Sequence, residues 1–238
     1  MRTQAQCRIE LVDDCAKCPL RKKGYFCQMA DDSIAAFAKV KCTTSYPAGA
    51  VLFVEGQVPR GVYMLCHGQV KLTTGSSEGK TVMRVAEAGE LLGLHSAISG
   101  EPHELRAETL QTCQVDFVRR DDFLKLLREQ RDIMVNTMRQ FSDDYRHTFQ
   151  QIRYLALIGS ATEKLAGFLL DSSARGHKTP QGIRFTLNLT HEEIAQVVGV
   201  RRETVTRGLA ELRERSLIST VGPTILIPNK QALAAIIA

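Results

Sequence analysis

The segment Leu187–Ile227 constrains this chain more than any other. Thr190 followed three residues later by Glu193 is a capping box, which satisfies orphan N–H groups at a helix start, so a helix begins there. Ile194, Val197 and Val198 give that helix an apolar face. Ala195 is small where two crossing helices approach each other. Gly199 follows where a tight turn between helices needs a residue that accepts positive φ. Val205 falls where the second helix packs back on the first. That second helix opens with Arg201, Arg202 and Glu203 and carries Thr206 and Arg207 one turn on. Cation, anion and cation on a leading face match the donor and acceptor pattern of base edges in the major groove. Ile218–Thr220 and Thr224–Ile227, parted by Val221-Gly222-Pro223, read as a hairpin, or wing. Together these features predict a winged helix-turn-helix that reads double-stranded DNA. The plainer alternative is a helical hairpin inside some other domain. It requires the cap, the Ala/Gly/Val spacing, the charged start and the wing to coincide.

A chain of 238 residues has room for about two domains, and 44% apolar residues suffice for a true core. No apolar run approaches the roughly 18 residues of a membrane span, and MRTQAQCRIELVDDC lacks a signal-peptide core, so a cytoplasmic protein without a membrane partner is expected. From Ile158 onward there are ten Lys or Arg against seven Asp or Glu, a balance that suits phosphate neutralisation. No Gly-rich phosphate loop, HExxH or GxSxG turn is present, so the chain does not read as an enzyme.

The pattern changes three times along the chain. Residues 1–28 hold four of the seven cysteines: Cys7, Cys15, Cys18 and Cys27. In a cytosolic chain such clustering points to metal or redox chemistry rather than a disulfide framework. Lys17, Arg21, Lys22 and Lys23 nearby are expected to lower the thiol pKa values. Residues 31–40 read as a short amphipathic helix. Short strands then follow at Ala50–Val54, Gly61–Cys66, Val70–Thr73, Thr81–Val85, Leu105–Glu108 and Cys113–Val118, which predicts an antiparallel roll over 29–128. Over 129–157, Met134, Met138, Phe141, Tyr145, Thr148, Ile152 and Leu155 recur at alternating steps of four and three. That is a heptad seam, read as a parallel homodimer contact, with a core helix packed on its own domain as the alternative. A helix over Ser160–Asp171 and a loop over Ser172–Gly182 lead into the winged domain, 158–238. The fold class is therefore α+β: an N-terminal antiparallel β-roll, a long dimerisation helix and a C-terminal winged helix-turn-helix.

This order of parts resembles the CRP/FNR superfamily of bacterial transcription regulators over about residues 29–238. The resemblance is carried by Gly89-Glu90-Leu91, by Ala161-Thr162-Glu163-Lys164-Leu165-Ala166 and, most specifically, by Arg202-Glu203-Thr204-Val205-Thr206-Arg207. It implies a homodimer on a palindromic site, with RNA polymerase as a further partner. In the CRP branch, residues matching Arg202, Glu203 and Arg207 read a G/C-containing half-site. Arg pairs with guanine O6 and N7, and Glu accepts from cytosine N4. Arg201 and Thr206 are then placed near the DNA backbone.

The resemblance also offers inputs for the roll. In the FNR branch, N-terminal cysteines and one roll cysteine hold an oxygen-labile [4Fe-4S] cluster. The segment Glu108–Cys113 resembles the one around that distant ligand, which implies Cys15, Cys18, Cys27 and Cys113 as the ligand set. A zinc site built from Cys7, Cys15, Cys18 and Cys27, a thiol/disulfide switch, and no metal or redox role remain open. Cyclic-nucleotide members hold ribose and phosphate with a Gly-Glu-Leu stretch and an Arg-Ser pair. Here that pair falls on His103-Glu104, whose carboxylate repels phosphate, with Arg106 nearby.

Overall fold

The computed structural model describes residues 14–22, 26–76, 79–156 and 159–237. Cys7, and with it the predicted zinc alternative, lies outside the described residues. The chain divides into two units, residues 1–80 with 84–144, and residues 81–83 with 145–238.

The first unit begins with two 3-10 turns, Cys15–Lys17 and Pro19–Lys22, and helix α1, Asp31–Val40. Eight strands follow, with one short helix among them: β1 Lys41–Tyr46, β2 Val51–Phe53, β3 Gly61–His67, β4 Gln69–Ser76, β5 Gly79–Glu87, β6 Leu91–Leu92, α2 Leu94–Ser99, β7 Arg106–Thr109 and β8 Cys113–Arg119. Helix α3, Arg120–Glu129, follows, and the long helix α4, Arg131–Ala156, begins in this unit and ends in the second. The strands form two four-stranded sheets, β1-β8-β3-β6 and β2-β7-β4-β5.

The period-two alternation of strands gives the β1-β8-β3-β6 sheet two different apolar faces. Leu65, Cys113 and Val115 point into the roll, where Leu52, Phe53, Val70, Leu72, Leu92 and Ala107 meet them. Val62, Met64 and Val118 point the other way, onto Phe26, Ile34, Phe37, Phe123, Leu126 and Ile133. Strand β1 is absent from the sequence reading. Its residues, KCTTSY, carry almost no apolar signal because it is an edge strand with half of its side chains exposed. Its pairing with β8 runs from Lys41↔Val118 to Tyr46↔Cys113.

Helix α4 lies on this second face through polar groups as well as apolar ones. Ile133, Asn136 and Thr137 are buried. The Gln140 amide donates to Leu91 O at 2.6 Å and accepts from Leu91 N at 2.8 Å, capping the short β6 strand. Met134, Met138, Tyr145, Phe149 and Ile152 are exposed on the far side. Phe141, one of the predicted seam residues, packs partly on the unit's own core and lies 4.3 Å from the His95 ring. Thr148 is exposed, and Phe149 beside it is also exposed and stacks with Tyr145. The side chain of Leu155 lies outside the described set.

The second unit holds α5 Ala161–Ser172, β9 His177–Thr179, β10 Gly182–Thr186, α6 His191–Val198, α7 Arg202–Glu214, β11 Ser219–Val221, β12 Thr224–Ile227 and α8 Lys230–Ala234. Its sheet, β11-β12-β10-β9, is larger than the expected hairpin, and β9 takes part of the predicted loop Ser172–Gly182. Leu165, Leu169, Ile194, Val198, Val205, Leu212, Ile225 and Ile227 form the core. Among the described residues no helix is long and apolar enough to cross a membrane.

Two substitutions test this packing by urea denaturation. Phe123 is fully buried, so Phe123→Ala should cost about 3–5 kcal/mol. The Thr137 hydroxyl is buried without a hydrogen-bond partner. Thr137→Val keeps the shape and removes that desolvated group, so it should stabilise by about 1 kcal/mol.

Candidate functional site

The DNA-reading face is built from the helix pair outward. Thr190 accepts from Glu193 N–H, and the Glu193 side chain accepts from Thr190 N–H, so the predicted capping box closes at the start of α6. Gly199 ends the helix in the left-handed region at φ 68°, which a Cβ would oppose. Arg201 is the N-cap of α7, and Val205, Gly208, Leu209 and Leu212 form its buried stripe. Gly208 lies so close to Leu165 that an added Cβ would stand 3.0 Å from it. With that stripe fixed inward, Arg202, Glu203, Thr206 and Arg207 are all exposed on the leading turns, as is Arg201. Among the described residues, Arg202, Glu203 and Arg207 are held in no ion pair, so their charges are available to a ligand. The sequence reading missed His191. Its Nδ1 lies 2.9 Å from Thr206 Oγ1, which also donates to Arg202 O at 3.2 Å. The only sequence signal is its position directly after the capping Thr190.

The second candidate site is the thiol-bearing segment. Cys15 and Cys18 bracket one 3-10 turn, closed by Cys18 N–H donating to Cys15 O at 3.3 Å. Cys27 is buried in the core on the outer face of the β1-β8-β3-β6 sheet, and Cys15, Cys18 and Cys66 pack against that core. Beside them Lys41 Nζ lies 3.0 Å from Asp116, with the two side chains 6% and 1% exposed. Thr43 donates to the same carboxylate at 2.6 Å. The Lys41 ammonium also faces Cys15, and the Asp116 carboxylate faces Cys66.

The thiols are not activated as the basic neighbours suggested. Lys17 pairs with Asp14, and Arg21 pairs with Asp31 and donates to Met29 O. Burial pushes the Cys15 thiol up, against a smaller downward pull from Lys41. Burial, with Cys18, Cys15 and Asp116 nearby, pushes Cys27 up to about 12. Burial and Asp116 raise Cys66 as well. The described cysteines are free thiols.

Cys113 does not join them. It projects into the roll, on the opposite face of the sheet from Asp116, and its Sγ donates to Gln111 O at 3.2 Å and Gln69 O at 3.4 Å. An added Cβ on Gly68 would fall 2.5 Å from that sulfur, so the roll closes around it. The set Cys15, Cys18, Cys27 and Cys113 is therefore divided by a β-sheet and does not fit a [4Fe-4S] cluster in this structure. Among the described residues no three His, Cys, Asp or Glu side chains stand ready to hold an ion.

The cyclic-nucleotide features are also engaged elsewhere. Glu90 is buried, accepts from Glu87 N–H at 2.9 Å and pairs with Arg84, which reaches Asp144 at 2.9 Å. His103 stacks on Phe53 with ring centroids 4.0 Å apart, and burial pushes its pKa down, which disfavours the charged imidazolium. Glu104 is exposed, and Arg106 pairs with Glu108 at 3.3 Å.

Two family models match the chain. Residues 43–130 match the cyclic nucleotide-binding domain, and residues 163–236 match the Crp-like helix-turn-helix domain. The CRP-like cAMP-activated global transcriptional regulator of Mycobacterium tuberculosis is 27% identical over 217 residues, covering 90% of this chain and 96% of that one. The cAMP-activated global transcriptional regulator CRP of Salmonella typhimurium is 26% identical over 184 residues, covering 76% of this chain and 87% of its own length. FixK2 from Bradyrhizobium japonicum shares the fold, with a TM-score of 0.74 at 24% identity over 84% of this chain and 98% of that one. With both domain models matched in the order roll then helix-turn-helix, and with relatives of this kind along nearly its whole length, the chain belongs to the CRP/FNR superfamily of transcription regulators.

Proposed function

We propose that the chain works as a homodimeric, sequence-specific DNA-binding regulator whose N-terminal thiols receive a redox or metal signal. The observation that carries the DNA reading is the exposed quartet Arg202, Glu203, Thr206 and Arg207 on a helix locked by Gly199 and the buried Val205 stripe. Arg202 and Arg207 are suited to guanine, Glu203 to cytosine, and Arg201 and Thr206 to the backbone. The exposed stripe Met134, Met138, Tyr145, Phe149 and Ile152 supports a seam between two copies, which sets two recognition helices on a palindromic site. The family assignment supports action as a regulator rather than an enzyme, and RNA polymerase as the protein partner in the cytoplasm.

For the input, Cys15, Cys18 and Cys27 on one short segment support thiolate chemistry, with an iron–sulfur cluster first and zinc second. A cyclic nucleotide in the roll is the competing reading, favoured by the match over residues 43–130 and by the cAMP-activated relatives. Against it stand the engaged Glu90, the buried His103 and the exposed Glu104 carboxylate.

Selection from random DNA should return a palindrome with half-sites about one helical turn apart. Arg202→Ala should cost about 1–3 kcal/mol and relax the preference at one G·C pair. A non-palindromic, A/T-only motif would overturn the assignment of these residues. For assembly, Tyr145 is 73% exposed in the single chain, so Tyr145→Glu leaves the fold intact. In a dimer it buries an anion beside its symmetry mate, which is costly unless paired. Sedimentation should then show a monomer with weakened DNA binding, and a variant that remains dimeric would refute this seam.

A further inference from the structure

His191 opens α6, and its ring meets the side of the recognition helix α7. Its Nδ1 lies 2.9 Å from Thr206 Oγ1, and that oxygen lies 3.2 Å from Arg202 O. A carbonyl cannot donate, and a hydroxyl has one proton. Both contacts are hydrogen bonds at once only when Thr206 donates to Arg202 O and accepts from Nδ1–H. In the neutral ring the proton therefore sits on Nδ1, and Nε2, across the ring from Thr206, carries a lone pair. The ring is exposed, and among the described residues Nε2 has no hydrogen-bond partner.

This arrangement changes what Thr206 can do. Its one proton is committed to Arg202 O, so its hydroxyl has no donor left for a DNA phosphate. The donor at that place has to come from the ring beside it. A lone pair on Nε2 repels a phosphate oxygen, whereas a proton there gives a charge-assisted hydrogen bond. We propose that His191, protonated at Nε2, holds a DNA phosphate beside Thr206, so that each protomer takes up one proton from solvent when it binds DNA. This rests on the DNA reading of the winged domain and adds to it a contact residue and a proton.

The charged groups around the ring are Glu192 and Glu193 on α6 and Arg202, Glu203 and Arg207 on α7. The carboxylates favour an imidazolium, and the arginines and the start of α6 oppose one. All of these are present with and without DNA, so the phosphate is the charge that distinguishes the two states. A negative charge against the ring raises its affinity for a proton in the complex relative to the free chain. DNA binding is therefore strongest on the acid side of the histidine range, about pH 5 to 8, and weakens as pH rises through it.

The test uses the full-length chain and the duplex recovered by selection, with affinity measured by fluorescence anisotropy across a salt series at about pH 6 and about pH 8.5. Wild-type affinity should fall about tenfold or more between the two, and the salt slope should become shallower by about 1 per protomer, since one phosphate fewer is neutralised. His191→Gln should bind at both pH values as the wild type does at the higher one. His191→Arg, a permanent cation, should bind at both as the wild type does at the lower one. Residue 191 is exposed, so thermal unfolding of both free variants should match the wild type. A His191→Gln chain that keeps the wild-type dependence on pH would overturn the proposal and leave the DNA reading standing. A wild type that binds no duplex at either pH would overturn both. Nitrogen NMR of the histidine-labelled free chain on the alkaline side tests the tautomer without DNA, with the His191 signal assigned by its loss in His191→Gln. The proton should be found on Nδ1, and a proton on Nε2 of the neutral ring would equally refute the site.

Discussion

Both amide protons of Asn136 are committed to main-chain carbonyls, those of Phe26 and Gln28, and its oxygen accepts from Arg139 at 3.0 Å. A buried amide left without these partners would cost the desolvation of each group, so the cysteine segment and α4 hold each other in a single register. Apolar burial alone has no such direction. Asn136, Gln140 and Asp144 recur at four-residue steps along α4, and each reaches a different layer: the cysteine segment, the β6 backbone and the Arg84–Glu90 pair. The inner face of α4 is thus fixed by hydrogen bonds, and its outer face is left apolar and exposed.

The Lys41–Asp116 pair does similar work at the other end of the segment. A carboxylate 1% exposed in a β-sheet is tolerable only when paired and hydrogen-bonded, and it receives Lys41 and Thr43 from the neighbouring strand. These contacts explain why an edge strand as polar as β1 holds its register. They also set a charged pair directly under the thiols, where an otherwise apolar core would have left none.

The helix pair of the winged domain was legible because its signals are local. The Thr190–Glu193 box, Gly199 and the Val205 spacing act within a turn or two, and each falls where the sequence placed it. The wing sheet was half legible, since β10 pairs with β12, a strand distant in sequence, and β9 joins the sheet only through β10. Cys113 shows a different failure. The segment Glu108–Cys113 matched a family motif, yet the alternation of Cys113, Val115 and Phe117 against Gln114, Asp116 and Val118 already divides β8 into two faces. Cys66 was passed over because a single cysteine in an apolar strand resembles any small buried residue. Only the pairing of β3 with β8, and the core laid over them, reveals which thiols share a side. Phe141 was read as a seam residue because it fits the heptad, but the sequence could not tell that the unit's own core would claim it.

The two faces of the β1-β8-β3-β6 sheet also separate the two candidate inputs. A ligand inside the roll would meet His103 and Phe53, and it reaches α4 only indirectly, through the Leu91 backbone held by Gln140 and through Glu90, Arg84 and Asp144. A ligand on the thiol face acts on carbonyls that Asn136 already holds, one hydrogen bond from the helix. Both routes end on α4, so the fold does not need a new output to change its input. On the inner face, His103-Glu104 sets an exposed carboxylate where the family resemblance implies a phosphate-holding pair. Cysteines placed before α1 and in β3 put thiols on the outer one. The shared helix then turns either event into the same question: how firmly its apolar stripe meets a second copy.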